Sequence, residues 1–481
     1  MEMGPDEGME FSKMLVVARD SADISKVWND QPWLHSWVFG NVFHLVGFTP
    51  ALPRLFALFC TLLYCARLRR IMPNGSGSWH HAVAIVLFLS SFSVMGLSMS
   101  SMLELPATLL ALVGASVLFS PSSKHRLLSL FLGGALTGLA MQIKLTAGMV
   151  FGAATLGYTV LQIARFFQET ERPVWKEAMR CYGVWLAGLL VIFFILVAVS
   201  PSFPINLLLA NHVKATNGMP ANELEKSSFH IIDLFSSAAV CLGFLLGAVW
   251  LIKHFRKGPW LLPVCYGFCA IFIHFLHRPY WYYYYLHLAA AFAPIAGWFI
   301  VEIVGLSFRQ TGVSGEISVL SRNRVLTVML WTALASLWIA TDGANDSKQM
   351  SALLQSERPN ENVVVNLLRS VAPQIKWAYS IKNIEVARAE LLMVPELTVV
   401  PKKRFWAGYK DQDILATVIR YQPEVLVLQK SYEENNPEWQ KFMRSSYNKA
   451  METSDESVYF TKSIKSPAVL SGKERLQKLG L

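Results

Sequence analysis

Charge is what this 481-residue chain has little of: Asp, Glu, Lys and Arg make up 16% of it, where a soluble domain carries about 25%. With 53% hydrophobic residues and a mean hydropathy of +0.37, that scarcity excludes a soluble enzyme and marks an integral membrane protein. Cysteine is scarce too. The six cysteines, Cys60, Cys65, Cys181, Cys241, Cys265 and Cys269, all lie within or beside apolar stretches, which leaves no disulfide framework and no zinc-ligand spacing. No glycine-rich phosphate loop opens any predicted helix of the polar tail, residues 345-481, so no nucleotide chemistry is assigned to it. Repeats and low-complexity segments are absent. The net charge of +10 does not mean nucleic acid, because the basic residues sit in short loops between apolar segments, where they act as topology signals.

What is present is a series of about ten apolar stretches, near 51-70, 79-99, 103-120, 127-143, 146-165, 183-200, 231-252, 260-276, 281-304 and 325-341. The expected fold class is therefore mainly α, a polytopic transmembrane bundle over 51-344. Residues 33-49 are apolar but carry two His and one Asn among Trp and Phe, which suits an interfacial helix lying on the membrane. Loop charges orient the chain. Basic residues concentrate in one set of connections, which hold Arg67, Arg69, Arg70, Lys124, Arg126, Arg165, Lys253 and Arg322, and the positive-inside rule makes these cytoplasmic. Segment 1-50 and the polar tail, 345-481, then lie on the opposite, extracytoplasmic side. In the tail, ENVVVNLL and PEVLVLQ read as buried strands, DQDILATVIRY as an amphipathic helix and ESVYFTK as a late strand, a small α/β domain.

The outside connections collect the unusual residues. Asp6-Glu7 stands at the N-terminus, followed by Asp30, Gln31 and His35; Glu104 opens a span; Lys144 interrupts two apolar stretches; a loop holds His212 and Lys214; and His277-Arg278 leads into the run of tyrosines that includes Tyr283 and Tyr285. Each has an ordinary alternative: solvated terminal charge for Asp6-Glu7, helix capping for Glu104, snorkelling for Lys144, an aromatic belt for the tyrosines. Arg54, near the outer end of its span, suits either an anchor or a phosphate ligand. Together they form polar groups gathered at one face, as a site opening to the outer leaflet needs.

In this order the pieces resemble the GT-C superfamily of membrane glycosyltransferases, in particular the family 39-like bacterial relatives of protein O-mannosyltransferases and of the lipid A aminoarabinose transferase. The resemblance rests on Asp6-Glu7, on Gln31-Pro32-Trp33-Leu34, on Gly47 through Arg54, on Glu104-Leu105-Pro106, on Gly138-Leu139-Ala140 with Lys144, and on the basic, Tyr-rich approach to a late span. It covers residues 5-305. Relatives place their Asp-Glu directly after a first membrane helix, which the resemblance leads one to expect ahead of Met1, and they often have Pro-Pro where Pro32-Trp33 stands. The resemblance implies transfer of a sugar, with inversion, from a polyprenyl-phosphate donor to an envelope acceptor (glycolipid, polysaccharide or protein) at the outer face of the bacterial inner membrane. Asp6 would be the general base, with Glu7 beside it. Arg54, Lys144, Lys214, Arg278, Tyr283 and Tyr285 would meet the lipid phosphate. Asp30, Gln31, His35, Glu104, His212 and His277 would position the acceptor or hold a divalent metal cation, which some relatives use and others do not. The rival class is a lipid or sugar transporter or flippase, which calls for inverted repeats and ionisable groups at the midplane; a scaffold would leave the site residues unexplained.

Overall fold

The computed structural model describes residues 5-19, 21-120, 125-167, 173-199, 205-226, 228-254, 258-309, 359-430 and 436-464. In chain order its helices are α1 (Pro5–Arg19), α2 (Leu34–Val46), α3 (Ala51–Arg67), α4 (Ser78–Leu89), α5 (Phe92–Leu97), α6 (Glu104–Ser116), α7 (Arg126–Ile143), α8 (Gly148–Phe166), α9 (Pro173–Val199), α10 (Ile205–Asn217), α11 (Ala221–Lys226), α12 (Ile231–Leu234), α13 (Ala238–His254), α14 (Leu261–Leu276) and α15 (Tyr285–Arg309). Beyond these come α16 (Pro359–Val371), α17 (Ile384–Arg388), α18 (Lys402–Trp406), α19 (Asp411–Tyr421) and α20 (Pro437–Ser446), with strands β1 (Ala378–Ser380), β2 (Val425–Gln429), β3 (Tyr447–Glu452) and β4 (Glu456–Thr461). The chain divides into two compact units: residues 1-53, 201-220 and 354-481 make unit 1, and 54-200 with 221-353 make unit 2.

Unit 2 is the membrane bundle. Six described helical stretches, Ala51–Ile71, Arg126–Ile143, Leu145–Phe166, Trp175–Val199, Ile231–Lys253 and Tyr282–Ile303, are long and apolar enough to cross a membrane, and three shorter apolar helices accompany them. The stretch expected over 325-341 lies outside the described residues. The one expected over 79-99 is broken between α4 and α5 at Ser90-Ser91, where the Ser90 hydroxyl turns back onto the Leu87 carbonyl at 3.2 Å and competes with continuation of the helix. On α9, Leu190, Val191, Phe194 and Ile195 stay exposed, a surface suited to lipid tails.

Small residues let these helices meet. A Cβ at Gly134 would stand 1.8 Å from the Trp185 carbonyl oxygen, and one at Gly138 2.4 Å from that of Leu189, so α7 and α9 are in backbone contact along a small-xxx-small edge. Gly114 and Gly133 bring α6 to α7 in the same way, each within 2.7 Å of the other's carbonyl oxygen by that measure.

Unit 1 is α/β. Its sheet has the order β1-β2-β4-β3, with β1 parallel to β2 and the other pairs antiparallel. The expected strands in PEVLVLQ and ESVYFTK are β2 and β4, and DQDILATVIRY is α19. ENVVVNLL is a helix, not a strand: Val364, Val365, Leu367, Leu368 and Val371 are buried in the core against the sheet, the i, i+3, i+4, i+7 spacing of one helical face. The N-terminal segment is ordered against this domain. Pro5 at the first helical position, Asp6 and Glu7 in the first turn and Arg19 in the last match a helix macrodipole. Phe11, Met14 and Leu15 of α1 share a core with Phe43 of α2 and Ala387 of α17. Gly40 permits the crossing of α1 and α2, since a Cβ there would fall 2.4 Å from that of Val17.

Candidate active site

In unit 2 the charges that interrupt apolar sequence find one another. Glu104 opens α6 and Lys144 stands where α7 ends, in extended backbone at φ −153°. The Lys144 ammonium pairs with Oε1 of Glu104, the two residues being 6% and 1% exposed. Lys144 is therefore neither snorkelling nor in contact with solvent, and Glu104 does more than cap its helix. Taking both ions out of water is costly unless further polar partners are present, and they are. Lys144 Nζ lies 5.6 Å from the centroid of Tyr284. One turn along α6 from Glu104, the Thr108 hydroxyl is 3.1 Å from Nδ1 of His287, and the Tyr266 phenol is 2.8 Å from the same nitrogen. Two hydroxyls thus converge on one nitrogen of the His287 ring and fix its orientation. His274 stacks on Tyr284 with centroids 5.8 Å apart and lies 5.4 Å from His287. Oε2 of Glu104 and Nε2 of both His274 and His287 are buried with no hydrogen-bond partner among the described residues. Buried polar atoms are rarely left so, and here two imidazole nitrogens and one carboxylate oxygen in one cluster keep hydrogen-bonding capacity in reserve.

The predicted Tyr and basic residues fall around this cluster unevenly. Tyr283 packs edge-on against Tyr284 at 5.1 Å, and His277 is 6.4 Å from the same ring. The Tyr285 hydroxyl donates to the Leu234 carbonyl at 3.4 Å and accepts from the Ser237 amide at 3.2 Å. Arg54 and Arg278 are half-buried in this unit.

The remaining predicted residues belong to unit 1. Asp6 is exposed in the first turn of α1 and Glu7 is buried. Behind them α1 carries a buried ion pair absent from the sequence reading, Lys13 to Glu10 at 2.5 Å, with the Ser36 hydroxyl of α2 donating to the other Glu10 oxygen at 3.2 Å. The i, i+3 spacing of Glu10 and Lys13 is the signal that could have found it. His35 is buried beside this pair; burial first, and the Lys13 charge second, lower its pKa to about 3, so the ring is neutral. Asp30 pairs with Lys403 at 3.3 Å, and the Gln31 amide donates to the Asn29 side chain at 3.3 Å. His212 and Lys214, expected in a loop, are on helix α10.

These residues do not fit a divalent metal. Glu104 and Asp30 are each committed to a lysine, and among the described residues no three His, Cys, Asp or Glu side chains come together as a metal would require. In the Glu104 cluster the Lys144 ammonium supplies the positive charge.

No family model matches the chain, and no curated protein matches it. Solved structures do. The crystal structure of ArnT from Cupriavidus metallidurans bound to undecaprenyl phosphate superimposes with a TM-score of 0.63 at 13% identity, covering 98% of this chain and 95% of that one. The apo state of the same protein gives 0.61 at 14% identity, over 95% and 94%. Likeness at that identity establishes the fold alone, and this chain accordingly shares the fold of those two ArnT structures over nearly its whole length, as its ordered motifs led one to expect.

Proposed function

We propose that this protein is a glycosyltransferase that moves a hexosyl or pentosyl unit from a polyprenyl-phosphate donor to an acceptor of the bacterial envelope, at the outer face of the inner membrane. The observation that carries the reading is the fold shared over 98% of the chain with a structure holding undecaprenyl phosphate, joined to a buried cation whose polar neighbours have hydrogen-bonding capacity to spare. In the proposed reaction an acceptor hydroxyl oxygen bonds to the anomeric carbon, the bond from that carbon to the lipid-phosphate oxygen breaks, and the phosphate leaves with the electron pair. Asp6, exposed at the start of α1, takes the hydroxyl proton. Lys144, held in place by Glu104 and Tyr284, meets the charge that develops on the leaving phosphate, and Arg278 adds to it. His287, fixed by Thr108 and Tyr266, offers its Nε2 to the same oxygens.

Mass spectrometry of envelope glycolipids and glycoproteins from a deletion strain tests the reading: one sugar disappears from one acceptor class, and the gene restores it. Asp6→Asn, an exposed substitution that leaves packing intact, is expected to abolish restoration while the protein accumulates in the membrane. Full restoration by Asp6→Asn would remove Asp6 as base, and an unchanged envelope in the deletion strain would remove the function.

A further inference from the structure

Unit 1 contains a cleft of about 700 Å³ with Trp28, Lys214, Arg404, Tyr409 and Arg420 in its walls, all residues outside the membrane bundle. Among the wall residues Arg404 is only 9% exposed. One side of its guanidinium fork is fixed: Nη1 donates to the carbonyl oxygens of Glu396 and, at 3.0 Å, Val399. The plane is held by aromatic rings, with the guanidinium carbon 3.8 Å from the Tyr409 centroid and 6.0 Å from that of Trp28. A guanidinium has five N–H donors, and those on Nε and Nη2 have no acceptor among the described residues.

The cleft wall also holds two carboxylates, Glu396 and Asp413, each hydrogen-bonded within the protein. Glu396 accepts from Arg420 and from the Tyr421 hydroxyl at 3.2 Å, and Asp413 accepts from the Lys410 amide at 2.8 Å. Lys214, exposed in α10, makes no ion pair among the described residues. The Tyr409 oxygen is buried and lacks a well-formed hydrogen bond, with Thr417 beside it. The cleft thus offers two unpaired cations, a phenol and two aromatic rings in a volume that accommodates a small polar ligand. A pre-organised guanidinium fork recognises planar or tetrahedral oxyanions, and polar groups around aromatic faces suit the hydroxyls and C–H faces of a sugar ring.

We infer that this cleft is a binding site for a sugar bearing an oxyanion, carboxylate or phosphate, with the acid group on Arg404 and Lys214 and the ring toward Trp28. It is independent of the catalytic reading and needs no residue of unit 2. Isothermal titration calorimetry on the full chain in detergent micelles tests it, with glucose, glucuronate, glucose 6-phosphate and inorganic phosphate as probes. Glucuronate or glucose 6-phosphate should bind at least about tenfold more tightly than either glucose or inorganic phosphate, since one charge-assisted hydrogen bond is worth about a factor of ten; which of the two acids binds better identifies the oxyanion. Lys214→Ala, an exposed change, should weaken that binding about tenfold, and Arg404→Lys, which keeps the charge but loses the fork, should do the same if it folds. Absence of binding by either acid sugar, equal binding of glucose, equal binding of inorganic phosphate, or indifference to Lys214→Ala would each overturn the assignment.

Discussion

Lys144 is asked to serve both folding and chemistry, and its pairing with Glu104 lets the two be separated. Both groups are out of solvent, and Oε2 of Glu104 already lacks a partner. Replacing Lys144 with Met leaves a buried carboxylate without its counter-charge, which costs about 3–5 kcal/mol of stability. Glu104→Gln alone leaves the ammonium over Tyr284 with a weaker partner and is destabilising in the same sense. The double variant Glu104→Gln/Lys144→Met contains no buried charge, and replacements of that kind range from neutral to about 1–4 kcal/mol stabilising. The expected cycle is therefore strongly non-additive: the double variant recovers most of what the single Lys144 change loses. Thermal unfolding of the purified proteins in one detergent measures it, and the transfer assay on the same preparations reads the second role. A double variant as stable as the parent yet unable to transfer sugar is the outcome the cluster predicts. Additive destabilisation would refute the paired-charge account of stability, and a stable, fully active double variant would take Lys144 off the donor phosphate.

Other consequences follow from single contacts. His35 titrates at about 3 when folded and near 6.5 when unfolded, so only the unfolded chain gains a proton between those values and acid destabilises the protein; about 2 kcal/mol is lost from pH 7 to pH 5. In His35→Phe the pH dependence of the melting temperature should flatten by that amount, and an unchanged slope would contradict the neutral buried ring. Gly134→Leu places a side chain where the Trp185 carbonyl oxygen stands; the α7–α9 contact cannot form, and size-exclusion traces in detergent should show aggregate in place of a monodisperse peak. Tyr266→Phe deletes the phenol that holds Nδ1 of His287, with an expected cost of about 1 kcal/mol in unfolding and a fall in kcat at unchanged expression; undiminished kcat would leave that hydrogen bond purely structural.

What could be read without coordinates was set by range. Val425 to Leu428 run continuously apolar between turn signals, and α19 announces itself through Asp413 near its start and its buried Ile414, Leu415 and Val418, so local patterns sufficed. In ENVVVNLL the three successive valines suggested β structure by propensity, while the positions that must be buried together, Val364, Leu367, Leu368 and Val371, are spaced as a helix; tertiary burial outweighed a preference worth under about 1 kcal/mol per residue. Helix α1 shows no membrane-length apolar run, because Glu7, Glu10 and Lys13 make its buried face polar, and the ion pair of Glu10 and Lys13 is what makes that face buriable.

The site divides in the same way. Glu104 and Lys144 stand out in sequence because a charge in an apolar stretch is costly, but their pairing depends on α6 and α7 meeting at Gly114 and Gly133, a contact between residues far apart in the chain. His274 and Tyr266 were hidden for the opposite reason, and His287 stood out only as a neighbour of the tyrosine run. Each lies in a stretch already rich in aromatic residues, where a polar ring reads as an interfacial belt, and only the convergence of Tyr266 and Thr108 on one nitrogen of His287 joins those three side chains into a hydrogen-bonded set, with His274 packed beside it. A residue that violates the solvent preference of its own segment can thus be found from sequence alone. A residue whose role is set by what other helices bring to it cannot, and the transfer proposal rests on both kinds: Lys144 for charge, and His287 for the ring that Tyr266 and Thr108 hold in place.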